Sequence, residues 1–407
     1  MSGSWISIDN TDGADFGGYL SKPSSGSGPG ILLIQEIFGV NDSIRRVADY
    51  YAEEGYVVLA PDLFWRIKER VELDYSTDGM KEALAFYQKF DEENALEDIA
   101  LSIKALRKIN ECVGKVGALG FCLGGKMVFL AAERSYIDCG VSYYGVGIEK
   151  SLHMLENIKC PLALHYGGSD EHISIEAIKK IKDAVSYIHN MEFYEYPNAS
   201  HGFANSDRNE FSKPDSLMAH SRSIALFRKE MGPYFNLSEL WDKHCEYEFI
   251  TRNVESTMDT MVPQPYVNHI PTMTGGVGYN DLKKFYTEHF IFANPKDTKL
   301  IPISRTIGSD RVVEEFLFCF THDKEIDWML PGVKATGHYV EIPLVAIVCF
   351  RGGKLYNEHI YWDQASVLVQ IGLLDKKGLP VAGRETANKL LDETLPSNKL
   401  IKNWRSE

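Results

Sequence analysis

The feature that most constrains the fold of this chain is a regular alternation of short apolar runs with longer amphipathic segments over roughly its first 230 residues. Six runs are rich in β-branched and aromatic residues and are too short for helices, so they predict strands. They are GILLI (30–34), YVVLA (56–60), KVGAL (115–119), GVSYY (140–144), PLALHY (161–166) and EFYEY (192–196). Strands that alternate with helices favour a mainly parallel, doubly wound α/β sheet covered on both faces.

Two helices between these runs can be placed from their capping and spacing signals. Ser43 is predicted to be the N-cap of a helix that ends before Gly55. A second helix is predicted over about 96–109, because Ile99 and Leu106 recur on one face of a 3.6-residue period.

The 407 residues are more than one domain usually holds, and the sequence changes character at the Gly232-Pro233 pair. We predict an α/β domain at 1–232, an α+β domain at 236–380 and a tail at 381–407. The second domain opens with a helical pattern at 240–261 and ends with long strand-like runs, which favour a curved antiparallel sheet wrapped on helices.

A segment rich in proline and glycine, 262–281, separates those helices from the strands. Its glycine-rich part, TMTGGVGYN (272–280), has no lysine in P-loop spacing and follows no clear strand. We therefore predict a mobile loop there and no phosphate site.

Charge and cysteine usage exclude several classes of function. A net charge of −14 without a basic patch argues against nucleic acid or an anionic membrane as a partner. The apolar runs are too short to span a bilayer, and the first residues lack signal-peptide features, so we expect a cytoplasmic protein. The seven cysteines, without CxxC pairs, indicate reduced thiols, with Cys112, Cys139 and Cys160 as core residues.

Histidine spacing gives no indication of a metal centre. The second domain has six histidines, none in HExxH or HxH spacing. We therefore expect neither a metal nor a cofactor. The six histidines are His244, His269, His289, His322, His338 and His359.

The stretch GFCLGG places Cys122 directly after a predicted strand. This is a GxCxG variant of the strand-turn-helix nucleophile elbow, GxSxG, whose glycines permit a sharp turn. A helix N-terminus behind the side chain favours a thiolate. The alternative is a small cysteine buried at a tight turn, which the motif alone does not exclude.

The order of polar residues downstream favours the catalytic interpretation. Asp170 follows one predicted strand and His201 the next, so both are expected at the edge of the sheet where Cys122 lies. Nucleophile, acid and histidine in this order form the α/β-hydrolase triad. Glu36 follows the first run at the same edge, in a segment too apolar for an ordinary surface carboxylate.

These motifs together resemble the dienelactone hydrolase (carboxymethylenebutenolidase) family over about 1–230. The residues that carry the resemblance are QEIFG, PDLF, GFCLGG, GGSD and SHGFAN, in this order and spacing. The resemblance implies an α/β-hydrolase fold and an enzyme that cleaves a small-molecule ester or lactone.

The resemblance also implies roles for individual residues. Cys122 would be the nucleophile, His201 the general base and Asp170 its orienting carboxylate, while Glu36 would exchange a hydrogen bond with the thiol. The oxyanion hole would come from the backbone N–H groups of Ile37 and Leu123.

One part of the family pattern is missing. Two arginines hold the substrate carboxylate in family members that act on dienelactone. The matching places here read Asn205 and either Met80 or Lys81. Candidate replacements are Arg66, Arg70 and Arg208.

The second part, about 240–374, resembles SnoaL-like proteins of the nuclear transport factor two superfamily. It does so through LWDKHCEYEFITRNVESTMDTM, DLKKFYTEHFI and LYNEHIYWDQASVLVQIGLL. The resemblance implies a cone with a cavity. Candidate cavity residues are His269, Asp327, Glu358, Trp362 and Asp363, and ordinary sheet positions are the alternative for each.

Two other functions stay open at this point. The chain could be a ligand-binding or scaffold protein whose main site is the SnoaL-like cavity, or a SnoaL-like isomerase or cyclase. As part of a hydrolase, the second domain is expected to shape substrate access or to join two copies into a homodimer.

Overall fold

Residues 3–10 and 13–404 are described by the computed structural model. They fall into two units, Met1–Tyr234 and Phe235–Glu407. Each unit has its own sheet and its own large cluster of buried apolar side chains.

The first unit contains an eight-stranded sheet in the order β1-β2-β4-β3-β5-β6-β7-β8. Only β1 and β2 run antiparallel to their neighbours, and the six strands predicted from the apolar runs form the parallel part. The strands are β1 (Ser4–Ile8), β2 (Phe16–Ser21), β3 (Gly28–Ile34), β4 (Val57–Pro61), β5 (Cys112–Phe121), β6 (Gly140–Tyr143), β7 (Leu162–Gly167) and β8 (Met191–Tyr196). Because β3 and β5 to β8 are parallel, their carboxyl ends meet at one edge of the sheet.

Five α-helices and two short 3₁₀ turns lie between these strands, and a sixth α-helix follows β8. The helices are α1 (Asp42–Glu53), α2 (Thr77–Tyr87), α3 (Glu92–Lys108), α4 (Leu123–Glu133), α5 (Ile175–Val185) and α6 (Lys213–Met231), and the 3₁₀ turns are Ile148–Lys150 and Leu152–Asn157. In α3 the predicted apolar face is confirmed, since Ile99 and Leu106 are completely buried.

The predicted cap of α1 is wrong by two residues. Asn41, not Ser43, is the N-cap, and its side chain accepts a hydrogen bond from the backbone N–H of Ile44. The Asn41 amide also donates to the carbonyl of Leu73, which fixes the asparagine at the helix start. Ser43 lies inside the helix and donates to Asn205 Oδ1 at 3.0 Å.

The second unit contains a six-stranded sheet in the order β10-β9-β14-β13-β12-β11. Its pairs are antiparallel, as predicted, except that β9 and β14 run parallel, which the sequence did not indicate. The strands are β9 (Met261–His269), β10 (Thr274–Val277), β11 (Lys299–Ile307), β12 (Arg311–Thr321), β13 (Tyr339–Arg351) and β14 (Lys354–Trp362).

The helical pattern at 240–261 is interrupted rather than continuous. Arg252 has a φ of 52°, which ends one helical stretch, and the Asn253 side chain caps the next. The helices of this unit are α7 (Leu237–Cys245), α8 (Val254–Asp259), α9 (Tyr279–Phe285), α10 (Gln364–Gln370) and α11 (Glu385–Leu391), and π-helical turns follow α7 (Glu246–Ile250) and α9 (Tyr286–Phe290).

The prediction of a mobile loop at 272–280 is also wrong. Its centre forms β10, in which Gly276 pairs with Val267 of β9. A Cβ on Gly275 would lie 2.0 Å from the carbonyl oxygen of Val267, so glycine permits this close strand pairing.

Among the described residues, no helix combines the length and the apolar character needed to cross a membrane. The seven cysteines are all free thiols.

Candidate active site

Cys122 occupies a strained turn between β5 and α4. Its φ of 54° and ψ of −113° lie outside the regions that a non-glycine residue ordinarily adopts. The backbone N–H donates to the carbonyl of Tyr143 at 3.0 Å, which ties the turn to the end of β6. Strain of this kind is frequent at catalytic residues, because it fixes a side chain that a relaxed turn would not present.

The glycines around Cys122 allow α4 to start directly against the sheet. A Cβ on Gly120 would lie 2.2 Å from the carbonyl oxygen of Gly124. A Cβ on Gly124 would lie 2.3 Å from the carbonyl oxygen of Ile34, at the end of β3. Both contacts are with backbone, so neither position can accept a larger residue without moving the helix or the strand.

His201 and Asp170 form a buried hydrogen-bonded pair at the carboxyl ends of β8 and β7. His201 Nδ1 lies 2.7 Å from Asp170 Oδ2, and the histidine is 2% exposed. The other oxygen, Asp170 Oδ1, accepts the backbone N–H groups of His172 at 2.8 Å and Ile173 at 3.0 Å. These bonds hold the carboxylate, and the carboxylate in turn holds the imidazole ring.

The second ring nitrogen of His201 is directed away from Asp170. His201 Nε2 is buried and has no nitrogen or oxygen partner among the described residues. Burial alone would lower the pKa of His201, but the charge of the Cys122 thiolate and the hydrogen bond to Asp170 outweigh burial and raise it to about 10. The imidazole therefore holds a proton most firmly when Cys122 is a thiolate.

Glu36 lies in the loop after β3 and is 1% exposed. Its Oε1 accepts a hydrogen bond from Tyr144 Oη at 3.4 Å. Its Oε2 accepts from Tyr75 Oη at 3.4 Å and from Asn205 Nδ2 at 3.2 Å. Within the described residues no hydrogen bond joins Glu36 to Cys122, so the exchange with the thiol stays a prediction.

The electrostatics of the two tyrosines agree with their role as donors to Glu36. Burial and the Glu36 charge raise the pKa of Tyr75 to about 12. The same two causes raise the pKa of Tyr144 well above its ordinary value. Both hydroxyls therefore stay protonated near neutral pH.

Arg208 is the candidate replacement arginine that lies beside these residues. Its side chain is 7% exposed. The side chain packs against Gly202, the residue that follows His201, since a Cβ on this glycine would lie 2.7 Å from Arg208 Nε. Burial lowers the pKa of Arg208, but Glu36 and Glu210 outweigh burial and raise it. The guanidinium thus stays charged close to the Glu36 carboxylate.

The other candidates have different partners. Arg66 makes a two-pronged ion pair with Asp98, at 2.8 and 3.1 Å. Arg70 lies over the Trp5 ring, 3.4 Å from its centroid. Lys81 is exposed on α2. None of these three is among the residues described above around Cys122 and His201.

The oxyanion hole predicted at the backbone N–H groups of Ile37 and Leu123 stays a prediction. Leu123 is the first residue of α4, so no intrahelical carbonyl can accept its N–H. Ile37 lies in the loop after β3, and the close contact of Gly124 with Ile34 brings the end of that strand to the start of α4.

The second unit has a cavity, and two of the five residues predicted to line such a cavity do so. His269 and Glu358 line it. Trp362 packs on the His269 ring with centroids 6.0 Å apart, just outside the lining. Asp327 is half-exposed in a surface ion pair, and Asp363 is exposed as the cap of α10, so both predictions were wrong.

Sequence reasoning missed two buried polar residues near this cavity. His244 and Glu248 lie 3.1 Å apart, Nε2 to Oε1, and Glu248 lines the cavity. The signal available was their i, i+4 spacing in HCEYE, which puts two side chains on one helix face.

Comparison with known proteins connects the first unit to one family. The family model described as "Dienelactone hydrolase family" matches residues 16–231. Carboxymethylenebutenolidase 1 of Cupriavidus pinatubonensis is 33% identical over 229 residues, which are 56% of this chain and 97% of that protein. The carboxymethylenebutenolidase of Pseudomonas putida is 33% identical over 220 residues, 54% of this chain and 93% of that protein.

Among solved structures, a putative dienelactone hydrolase from Klebsiella pneumoniae is similar to this chain, with a TM-score of 0.50 and 23% identity. The match covers 56% of this chain and 98% of that one. At this identity the likeness concerns the fold alone.

Proposed function

This chain belongs to the dienelactone hydrolase family and is a hydrolase of that family, and on this premise we propose that it cleaves a small ester or lactone through a thiol acyl-enzyme at Cys122. The observation that carries the proposal is the buried His201–Asp170 pair, which leaves His201 Nε2 without a nitrogen or oxygen partner among the described residues, together with the strained turn at Cys122. In its support, all three residues lie at the same edge of the parallel sheet.

In the first half-reaction the Cys122 thiolate attacks the carbonyl carbon of the ester and forms a C–S bond. The carbonyl electron pair moves onto oxygen, where the N–H groups of Ile37 and Leu123 would stabilise it. When this intermediate collapses, the C–O bond to the leaving alcohol breaks, and the alcohol oxygen takes the proton of His201 Nε2.

In the second half-reaction His201 Nε2 takes a proton from water, whose oxygen attacks the thioester carbon. The C–S bond breaks, the sulfur leaves as thiolate, and the acid product departs. Asp170 keeps the ring orientation and stabilises the imidazolium in both steps.

Glu36 acts in this scheme as a buried charge held by Tyr75, Tyr144 and Asn205. It is proposed to interact with the nearby thiol and to fix the position of the loop that carries Ile37. Because these contacts come from separate segments of the chain, Glu36 is proposed to be a positioning residue and does not bind substrate.

We test the nucleophile by intact mass spectrometry of the full chain mixed with a slowly hydrolysed activated ester. The wild-type protein should gain one acyl group, and Cys122→Ala should gain none and lose turnover by more than about 10⁴-fold. Cys112→Ala is the matched control, because Cys112 begins the strand that Cys122 follows and lies at the opposite edge of the sheet. Acylation of Cys122→Ala would refute the proposal.

For the substrate, we propose that Arg208 binds a carboxylate or another polar group of the ester. Asn205 is occupied by Glu36, so Arg208 supplies the charge that the family's missing arginines would provide. Matched esters with and without a carboxylate, assayed on the full chain, should show a preference of about tenfold for the anionic ester. Equal rates would contradict this assignment.

The second unit is proposed to be a SnoaL-like α+β domain, and the protein to be cytoplasmic and able to form a homodimer. The six-stranded sheet and the cavity lined by His269 and Glu358 support the first part. Family membership favours the hydrolase over a purely ligand-binding or scaffold role.

A further inference from the structure

Three buried polar side chains meet in the second unit although they come from separate elements. His244 lies at the end of α7, Glu248 in the π turn that follows it, and Glu358 in β14. His244 Nε2 is 3.1 Å from Glu248 Oε1 and 3.1 Å from Glu358 Oε1. All three are at most 3% exposed.

The spacing of these donor atoms matches that of ligands around one metal ion. Two ligands at about 2.1 Å from an ion lie roughly 3.0 Å apart in octahedral and roughly 3.4 Å apart in tetrahedral coordination. One donor atom from each of the three residues lies within 4.8 Å of the others. Small side-chain adjustments would therefore bring one nitrogen and two oxygens onto a common ion.

The tautomer of His244 is set by its other ring nitrogen. Nδ1 lies 2.6 Å from Thr260 Oγ1, and that hydroxyl donates its own proton to the carbonyl of Thr257 at 2.6 Å. Thr260 can therefore only accept from His244, so Nδ1 carries a proton, and Nε2 is the ring nitrogen that faces the two carboxylates. When Nε2 carries no proton, it can ligate a cation that lies between it and the carboxylates.

The cluster carries a deficit of positive charge. No lysine or arginine is among the described residues that line the cavity next to it. His269, the other histidine there, is kept neutral, since burial lowers its pKa to about 4. Two buried carboxylates and a neutral imidazole are balanced by one divalent ion.

The cavity beside the cluster is small and mostly aromatic. The cavity has a volume of about 30 Å³. That is enough for two or three waters at about 10–15 Å³ each. Water ligands of an ion held by the three side chains fit this space, whereas a large organic molecule does not.

The backbone around the cluster contains two π-helical turns. Both π turns of the unit are confirmed by i to i+5 hydrogen bonds, Thr251 N to Glu246 O at 2.9 Å and Ile291 N to Tyr286 O at 3.1 Å. One turn carries Glu248. The other begins with Tyr286, whose hydroxyl is 3.4 Å from His244 Nε2 and from Glu358 Oε1. Single π turns are rare and are found mostly at functional sites.

We propose that His244, Glu248 and Glu358 bind one divalent transition-metal ion, of the class that includes Zn²⁺ and Mn²⁺, with a water-filled coordination position facing the cavity. Mixed imidazole and carboxylate ligation suits this class. The Tyr286 hydroxyl lies where it can hydrogen-bond a water on the ion. This site is independent of the proposed esterase chemistry.

The test is metal content and affinity of the full-length protein. After removal of metals with a chelator and equilibrium dialysis against Zn²⁺ or Mn²⁺, the wild-type chain should retain one ion. Glu248→Gln and Glu358→Gln, which keep side-chain size, should each weaken binding at least a hundredfold. Thr260→Val, which removes the Nδ1 acceptor but no ligand, should weaken it about ten- to a hundredfold.

Matched controls separate this site from other metal-binding groups. His289→Gln removes a half-exposed histidine that pairs with Asp327 and Glu288 at the surface, and it should leave binding unchanged. Cys122→Ser should also leave it unchanged. Circular dichroism shows which variants fold. If the glutamine variants do not fold, the metal affinity of Thr260→Val tests the proposal.

Three results would overturn the proposal. The first is a folded wild-type protein that retains neither metal. The second is undiminished binding by folded Glu358→Gln and Glu248→Gln. The third is binding lost in Cys122→Ser and kept in Glu358→Gln, which would place the ion at the thiol.

Discussion

The two units build their polar sites in opposite ways. In the first unit, Cys122, Asp170 and His201 each follow a different strand of a parallel sheet, so chain order alone brings them to one edge. In the second unit, His244, Glu248 and Glu358 come from a helix end, a π turn and the middle of a strand. A site at a parallel sheet edge can be inferred from one-dimensional order, whereas a site inside an antiparallel unit depends on register and helix irregularities.

The largest difference between the two units is expected when a buried carboxylate of each is replaced by an amide. Glu36→Gln should lower kcat by about a hundredfold and change KM less than about threefold, because it removes a charge near the thiol without removing a substrate contact. Steady-state kinetics on an activated ester provides the measurement.

Glu314→Gln is the matched control from the second unit. Glu314 is also buried, but it accepts from Trp241 Nε1 at 2.6 Å and pairs with Arg305. This variant should keep kcat within about twofold. A change confined to KM in Glu36→Gln would show that Glu36 contacts substrate.

Two buried histidines, His201 in the first unit and His269 in the second, have pKa values that are shifted in opposite directions. Burial lowers the pKa of His269 to about 4, whereas Cys122 and Asp170 raise that of His201 to about 10 despite burial. The alkaline limb of kcat/KM should therefore fall about tenfold per pH unit only above pH 10, as His201 loses the proton that the leaving group needs. A limb near pH 6.5 in the pH–rate profile would show that the pair is not formed.

The same shift has a consequence for stability. Because the folded state binds the His201 proton more tightly than the unfolded state, whose pKa is near 6.5, this contribution is complete below that pH. It is lost as the pH rises through 10.

The smallest effects test whether the units unfold separately. Ser174 and Asn253 are equivalent N-caps, of α5 in the first unit and α8 in the second, and each accepts from a backbone N–H three residues on. Replacement of either by alanine should cost about 1 kcal/mol. In calorimetry, each variant should lower only one of two transitions, and a single transition lowered by both would show one cooperative unit.

The parallel sheet of the first unit was predictable because its strands are short runs dominated by apolar and aromatic residues, although EFYEY also contains two glutamates. β1 and β2 were not predicted, because SWISI and FGGYLS are partly polar or rich in glycine. Asn41 was passed over for Ser43 because its additional bond to the Leu73 carbonyl comes from a segment distant in sequence.

In the second unit, β9 was obscured by Pro263 and Pro265, which ordinarily argue against a strand. The residues of the first site could be named in advance, but the partners of Glu36 could not, since Tyr75, Tyr144 and Asn205 lie on three different loops. The cluster around His244 was missed because Glu358 is more than a hundred positions away and lies in the polar stretch NEH, where the sequence does not show that it is buried.

A π turn contains one residue more than the α turn it replaces. Loss of a single codon between 246 and 250 would let an ordinary α turn close there, and residues beyond it would rotate by about 100° around the helix axis. The bond from Thr251 N to Glu246 O would then be replaced, and the direction of the chain entering α8 would change. The ion site of the second unit is thus open to gain or loss by a one-residue insertion or deletion, an event that leaves the reading frame and the rest of the protein intact.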